Sequence, residues 1–151
     1  MRDKVPAMLN FSAGPQSLLA AVETAGMQRI VTSRAFVEKG KLEPVIEALS
    51  ARCAITYLED IRARLTLKHK LIALAESWLP GETLRPVLAA QKPDDPATVL
   101  FTSGSEGVPK GVALSHANLL ANIFQAQARL SFTSKDCLFN AMPIFHSFGL
   151  T

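Results

Sequence analysis

Apolar residues in the first part of the chain switch between short runs and helical spacing. "VPAMLN" (Val5 to Asn10) reads as a short buried strand, and "FSAGPQ" turns the chain, with Pro15 suited to the first turn of a helix. Leu18, Leu19, Val22 and Ala25 then follow at helical spacing, and Gly26 is a natural stop. "RIVTS" reads as a second strand. After Ser33 comes a helical stretch in which Leu42, Val45, Ile46 and Leu49 fall at i, i+3, i+4 and i+7. "CAITYL" reads as a third strand. Strand, helix, strand, helix, strand argues for parallel pairing with helices covering the sheet. A further helix is predicted over Leu67 to Leu79, with Leu67, Leu71, Leu74 and Trp78 on one side, and Pro80-Gly81 ends it.

The pattern loosens from Gly81 to Pro96, where Pro86, Pro93 and Pro96 mark a connector within one domain. "ATVLFT" is β-rich and apolar, and "GVALS" reads as another strand. Ser115 is a natural N-cap for a helix whose apolar stripe is Leu119, Ile123, Ala126 and Leu130. Ser134-Lys135-Asp136 turns the chain, and "CLFNAM" is predicted as a last strand. The expectation is an α/β fold with mostly parallel sheet and flanking helices. It divides into a first α/β unit (1–80), a connector (81–96) and a second unit (97–151).

Composition narrows the function classes. A chain of 151 residues, 48% apolar, is of one-domain size and can build a core. Lys and Arg number 16 against 13 acids, a formal charge of +3. The basic residues are scattered with no interleaved aromatics, which argues against a nucleic-acid face. Cys53 and Cys137 form no C-x-x-C pair, so two buried thiols in a reducing compartment fit better than a disulfide or a zinc site. The longest apolar stretches are broken by Glu76 and His146 and fall short of the roughly 20 residues that span a bilayer. These features point to a cytoplasmic chain without a transmembrane segment, and a parent protein at the inner membrane face stays compatible with them.

The candidate chemistry lies in "FTSGSEGVPKG", Phe101 to Gly111, between two predicted strands. Gly104, Gly107 and Gly111 allow positive φ and close backbone approach, so several N–H groups can point into one hollow. Thr102, Ser103 and Ser105 add hydroxyl donors, and Lys110 supplies a mobile cation. Many donors, little bulk and one positive charge suit a polyphosphate. A plain hairpin turn is the alternative, and Glu106 counts for it, since a carboxylate facing phosphate would repel it. The near-continuous small and polar run from Thr102 to Pro109 exceeds what a hairpin needs, which favours phosphate. Walker A, G-x-G-x-x-G and G-x-S-x-G patterns all fail on these residues.

The stretch "TSGSEGVPKGVALSH", Thr102 to His116, resembles the signature loop of the adenylate-forming superfamily of acyl-CoA synthetases, peptide-synthetase adenylation domains and luciferases. "PIFHSFGLT", Pro143 to Thr151, is similar to that family's next block. "VPAMLNFSAG" and "RIVTSRAFVEKGKLEPVIEAL" look like its first α/β unit, with wording nearest bacterial acyl-[acyl-carrier-protein] synthetase/2-acylglycerophosphoethanolamine acyltransferase. The resemblance implies that the chain is the front part of a large adenylation domain. It also implies that Thr102, Ser103, Gly104, Ser105, Gly107, Lys110 and Gly111 close over the β- and γ-phosphates of ATP, and that His146 lies beside the acyl carboxylate. On the residues alone, a histidine between two phenylalanines is more often packed in a core, and Phe145 and Phe148 divide evenly between packing and pocket lining.

The implied reaction joins a carboxylate to the α-phosphate of Mg·ATP, releases pyrophosphate, and passes the acyl group to a thiol on coenzyme A or on the phosphopantetheine arm of an acyl carrier protein. A fatty acid is the expected substrate, with an amino or aryl acid as the alternative and a non-catalytic nucleotide-binding remnant as another. The family's later blocks, which carry the magnesium-binding acid, the ribose-binding aspartate and the adenylation lysine, have no counterpart here, so no residue of this chain is assigned to a metal. That absence gives the expectation of a fragment without ligase activity of its own. The H-x-x-x-x-D signature of an acyltransferase is also missing: Leu74, Ala121 and Thr151 stand five residues after His69, His116 and His146.

Overall fold

The computed structural model describes residues 4–78, 90–102, 109–131, 133, 135–137, 139–143, 145 and 146. They form two compact units, Met1–Phe11 with Gln91–Thr151, and Ser12–Ala90.

In the Ser12–Ala90 unit, Pro15 opens helix α1 (Pro15–Thr24), where its missing N–H costs nothing. Gly26, at φ +58°, turns the chain after it. Strand β2 (Arg29–Thr32) leads into helix α2 (Arg34–Gly40), whose N-cap Ser33 accepts from the N–H of Phe36 at 3.1 Å. Helix α3 (Glu43–Ser50) then leads to strand β3 (Ala54–Tyr57), which pairs parallel with β2, Ile30 opposite Ile55 and Thr32 opposite Tyr57. Helices α4 (Leu58–Ala63) and α5 (Leu67–Ser77) follow. The core of this unit is Leu18, Ala21, Val22, Val37, Leu49 and Cys53, all buried. The α1 positions Leu18, Ala21 and Val22 share one face at i, i+3 and i+4.

Two departures from the sequence pattern stand out here. The helical stretch after Ser33 is two helices. Lys41 adopts a left-handed conformation at φ 50°, and the N–H of Leu42 closes back on the carbonyl of Val37 at 2.9 Å. Pro44 explains the break, because in one continuous helix its ring would clash with the preceding turn and an N–H would be missing. Within its first turn of α3 it is harmless. Helix α5 forms where its periodicity predicts, but its apolar side stays open, with Leu67 71%, Leu71 56%, Leu74 59% and Trp78 82% exposed. The stop at Pro80-Gly81 and most of the connector lie outside the described residues.

In the other unit, strands β1 (Ala7–Met8), β4 (Pro96–Thr102) and β5 (Lys110–Ser115) form one sheet in the order β1-β4-β5. Strand β1 runs parallel to β4, with Ala7 opposite Val99 and Met8 opposite Leu100. The buried Thr98 donates its hydroxyl to the carbonyl of Pro6 at 3.0 Å, and Leu100 is buried beside it. The sequence pattern grouped β1 with β2 and β3, yet β1 pairs with β4. A short apolar run is equally able to join either sheet, and the β4 edge supplies it with main-chain partners and the Thr98 hydroxyl. Strands β4 and β5 are antiparallel neighbours, so the architecture is α/β with parallel pairs in both sheets and one antiparallel hairpin.

Helix α6 (His116–Arg129) starts as predicted at Ser115. Ser115 Oγ accepts from the N–H of Asn118 at 3.2 Å, and Asn118 Oδ1 accepts from the N–H of Ser115 at 3.0 Å. The carbonyls of Asp95 and Pro93 take the N–H groups of His116 and Ala117, so the first turn is capped twice over. Its stripe is partly open: Leu119 is half-buried, and Ile123 and Leu130 are exposed. Of the predicted last strand, the described residues Cys137 and Phe139 to Met142 form no strand. Instead Asp136 closes a turn with Thr133, accepting from its N–H at 2.6 Å and its hydroxyl at 2.9 Å. Among the described residues no helix is long and apolar enough to cross a membrane.

Candidate functional site

The glycine- and hydroxyl-rich stretch joins the ends of β4 and β5. Thr102 is the last residue of β4, Lys110 the first of β5, and the two stand opposite each other in the antiparallel register, both exposed. One rung below, Phe101 faces Gly111. The two earlier readings of this stretch, hairpin and phosphate loop, are therefore compatible: the loop is carried on a hairpin whose mouth presents one hydroxyl and one ammonium group. Ser103, Gly104, Ser105, Glu106 and Gly107 lie outside the described residues.

Gly111 corrects an expectation. Among the described residues the positive-φ glycines are Gly14 and Gly26, so Gly111 holds ordinary strand backbone. A Cβ built there would sit 3.5 Å from the Phe101 ring and 3.5 Å from Val99 Cγ1, a normal packing contact. Gly111 is thus a strand residue against an aromatic ring, and no φ requirement holds glycine there.

The topology also bears on positive potential at the hairpin mouth. Strand β5, six residues long, separates the loop from the N-terminus of α6 by about 20 Å. A helix dipole acts within its first turn. So α6 adds no positive potential at the hairpin mouth. A loop feeding directly into a helix, as in Walker-type sites, is a different device.

His146 belongs to the same compact unit as the hairpin. It is exposed, and its N–H donates to the carbonyl of Pro143 at 2.9 Å. Phe145 is half-buried against Phe11, ring centroids 5.6 Å apart at 86°, so its packing role is real. Phe148 lies outside the described residues.

The other charged cluster was not legible in the sequence. At the C-terminal ends of β2 and β3, Arg34 pairs with Asp60 at 2.8 Å, lies 4.3 Å over the Tyr57 ring, and donates its main-chain N–H to Glu59 Oε1 at 2.9 Å. The hydrogen bond to Asp60 raises the Arg34 guanidinium above its usual range, and the same bond holds the Asp60 carboxyl below its own. Main-chain N–H groups, those of Glu59 itself and Arg34 foremost, lower Glu59, whose Oε2 is buried without a hydrogen bond. Ligands often bind at this end of parallel strands, but here each of the three charges already has a partner, and the cluster braces α2 against α4. Arg34 and Asp60 are 26 positions apart, so no local spacing announces them.

Of the two thiols, Cys53 is buried and its pKa is pushed up by that burial, which keeps it an unreactive thiol. Cys137 is exposed, against the expectation that both are buried. It follows the Asp136 turn, where the described residues form no strand. Among the described residues no group of three or more His, Cys, Asp or Glu side chains could hold a metal ion.

Comparison with known proteins agrees with this picture. The family described as "AMP-binding enzyme" matches residues 3–151. The chain is 50% identical over 106 residues to the L-proline–[L-prolyl-carrier protein] ligase of Pseudomonas fluorescens, covering 65% of this chain and 21% of that one. It is 47% identical over 55 residues to long chain acyl-CoA synthetase 6, peroxisomal, of Arabidopsis thaliana, covering 36% of this chain and 8% of that one. Among solved structures, o-succinylbenzoate CoA synthetase from Bacillus subtilis in complex with its acyl-adenylate intermediate superimposes on 97% of this chain and 32% of its own, at TM-score 0.68 and 19% identity, a likeness of fold. The chain therefore spans a third or less of each of these proteins, and it belongs to the AMP-binding enzyme family.

Proposed function

We propose that this chain is the phosphate-gripping front part of an ATP-dependent acid–thiol ligase that activates a fatty acid as its acyl-adenylate. One observation carries the reading: the Thr102 to Gly111 signature spans an antiparallel hairpin, with Thr102 and Lys110 facing each other at its mouth. During adenylate formation negative charge grows on the departing pyrophosphate. Lys110 offsets that charge, and the hydroxyls of Thr102, Ser103 and Ser105 with the loop amides orient the β- and γ-phosphates. Donors fixed in advance lower the barrier because they need no reorganisation as the charge moves. Gly104 and Gly107 leave the main chain free to approach, and Gly111 follows Lys110 in the strand that carries both. His146 orients the acyl carboxylate for attack on the α-phosphate. Magnesium supplies further charge neutralisation when bound, and none of its ligands is assigned to this chain's described residues. Coenzyme A or a carrier-protein thiol is the acceptor, with acyl carrier protein the candidate partner.

A second reading has its own support. The prolyl-carrier protein ligase matches over 65% of this chain at 50% identity, a longer stretch than the 36% matched by the long-chain acyl-CoA synthetase. An amino acid loaded onto a carrier protein is thus the competing substrate class.

ATP–pyrophosphate exchange separates these readings. A full-length protein that contains these residues is tested with palmitate, octanoate and L-proline, beside the 151-residue chain. Exchange that depends on a fatty acid supports the first reading, and dependence on L-proline supports the second. Full-length protein that binds ATP but exchanges with none of the three acids would remove the fatty-acid assignment.

A further inference from the structure

The turn that carries His146 is anchored by an aromatic contact reaching back to the 3-10 turn that follows the first strand. The rings of Phe145 and Phe11 meet edge to face, 5.6 Å between centroids and 86° between planes. That arrangement is favoured because the positive edge of one ring meets the negative face of the other. Phe11 opens the 3-10 turn Phe11–Ala13, which starts three residues past the end of β1. The register of β1 is fixed on β4 at Ala7–Val99 and Met8–Leu100, and it is β4 that ends at Thr102 and the loop. On the other side, the N–H of His146 bonds the carbonyl of Pro143 at 2.9 Å, with Phe145 inside the turn so closed.

One peptide bond separates Phe145 from His146. A ring that fixes Phe145 therefore limits the directions in which the His146 backbone can leave the turn. Phe11 is 42% exposed, so the pair is an edge contact and not part of the buried core. Simple core filling does not require an aromatic ring at this place.

We infer that Phe11 is a positioning residue: through Phe145 it fixes the turn that presents His146, and so ties His146 to the strand that carries the phosphate loop. The inference rests on the reading of His146 as the residue beside the reacting carboxylate. It gives β4 two duties, holding the loop at its end and, through β1, the histidine turn.

The test uses the chain itself, labelled at its three histidines, of which His69 and His116 serve as internal references. In Phe11→Ala the imidazole signals of His146 move, and its amide exchanges about two- to tenfold faster, the range expected for losing one edge-to-face pair. His69 and His116 stay in place, and Phe11→Tyr restores the wild-type His146 signals. Should Phe11→Ala fail to fold, Phe11→Leu keeps the apolar volume without the ring and carries the same expectation. Unchanged His146 signals and exchange in a folded variant without the ring overturn the inference, as do equal changes at all three histidines. No nucleotide enters this measurement, so its outcome is independent of whether Lys110 binds phosphate.

Discussion

Arg34 grips Asp60 with two parallel contacts, Nη1 to Oδ1 at 2.8 Å and Nη2 to Oδ2 at 2.9 Å, across 26 residues of sequence. With its stacking on Tyr57 and the bond from its main chain to Glu59, this pair links the start of α2 to the start of α4. The planar fork of Arg matches a carboxylate in a way that Lys cannot.

The brace predicts an acid-sensitive component of stability. Asp60 and Glu59 have folded-state pKa values depressed below their unfolded ones, by Arg34 and by main-chain N–H groups respectively. A depressed carboxyl contributes stability above its unfolded pKa, about 4, and loses it as pH falls through the folded value. Urea unfolding at about pH 6 and about pH 2.5 should therefore show a loss in the wild type that is smaller in Asp60→Asn and Glu59→Gln. The Asp60 side chain is 48% exposed, so added salt should shrink its share of the difference. Equal acid losses in wild type and both variants would exclude the brace as the source.

Lys110→Ala should weaken ATP binding by about 10- to 100-fold, the usual worth of a hydrogen bond to a charged group. AMP, which lacks the β- and γ-phosphates, should lose little. Isothermal titration with both nucleotides on the full-length protein checks this. An equal loss for ATP and AMP would place Lys110 elsewhere than on the leaving pyrophosphate.

Two glycines should respond oppositely to alanine. Gly26 sits at φ +58°, where a side chain costs about 1–2 kcal/mol. Gly111 has ordinary strand backbone, and the new methyl would rest at 3.5 Å from Phe101 and Val99, so Gly111→Ala should change stability by under about 0.5 kcal/mol. Urea midpoints of the two variants decide the point.

Ser115→Ala should cost about 1 kcal/mol, the typical worth of an N-cap hydroxyl. It removes the acceptor for the N–H of Asn118 while leaving the Asp95 and Pro93 carbonyls on the first turn. Faster amide exchange confined to residues 116–119 would locate the loss at the cap.

The sequence by itself determined what depends on near neighbours. Ser33 and Ser115 became helix caps because a hydroxyl and the N–H three residues on are brought together by local geometry. Gly26 turned the chain after α1, and the alternation of apolar runs and helical spacing produced the strands and most helices in the expected places. The loop signature was visible as a long run of small and polar residues, and with it the family. Even the break at Lys41 was written locally, in Pro44, although periodicity across Leu42 to Leu49 masked it.

What only the tertiary structure decided depends on residues far apart along the chain. Strand β1 joined β4 instead of β2 and β3, since an apolar strand carries no record of its partner. Gly111 proved an ordinary strand residue once its register with Phe101 was set. Cys137 is exposed, and the described residues around it form no strand. Arg34 met Asp60, and Phe11 met Phe145, across separations that no sequence period encodes. Local hydrogen bonding and sterics act within a few residues and are legible in a string of letters. Pairing between strands and between distant side chains is chosen by competition among all surfaces that the folded chain brings within reach.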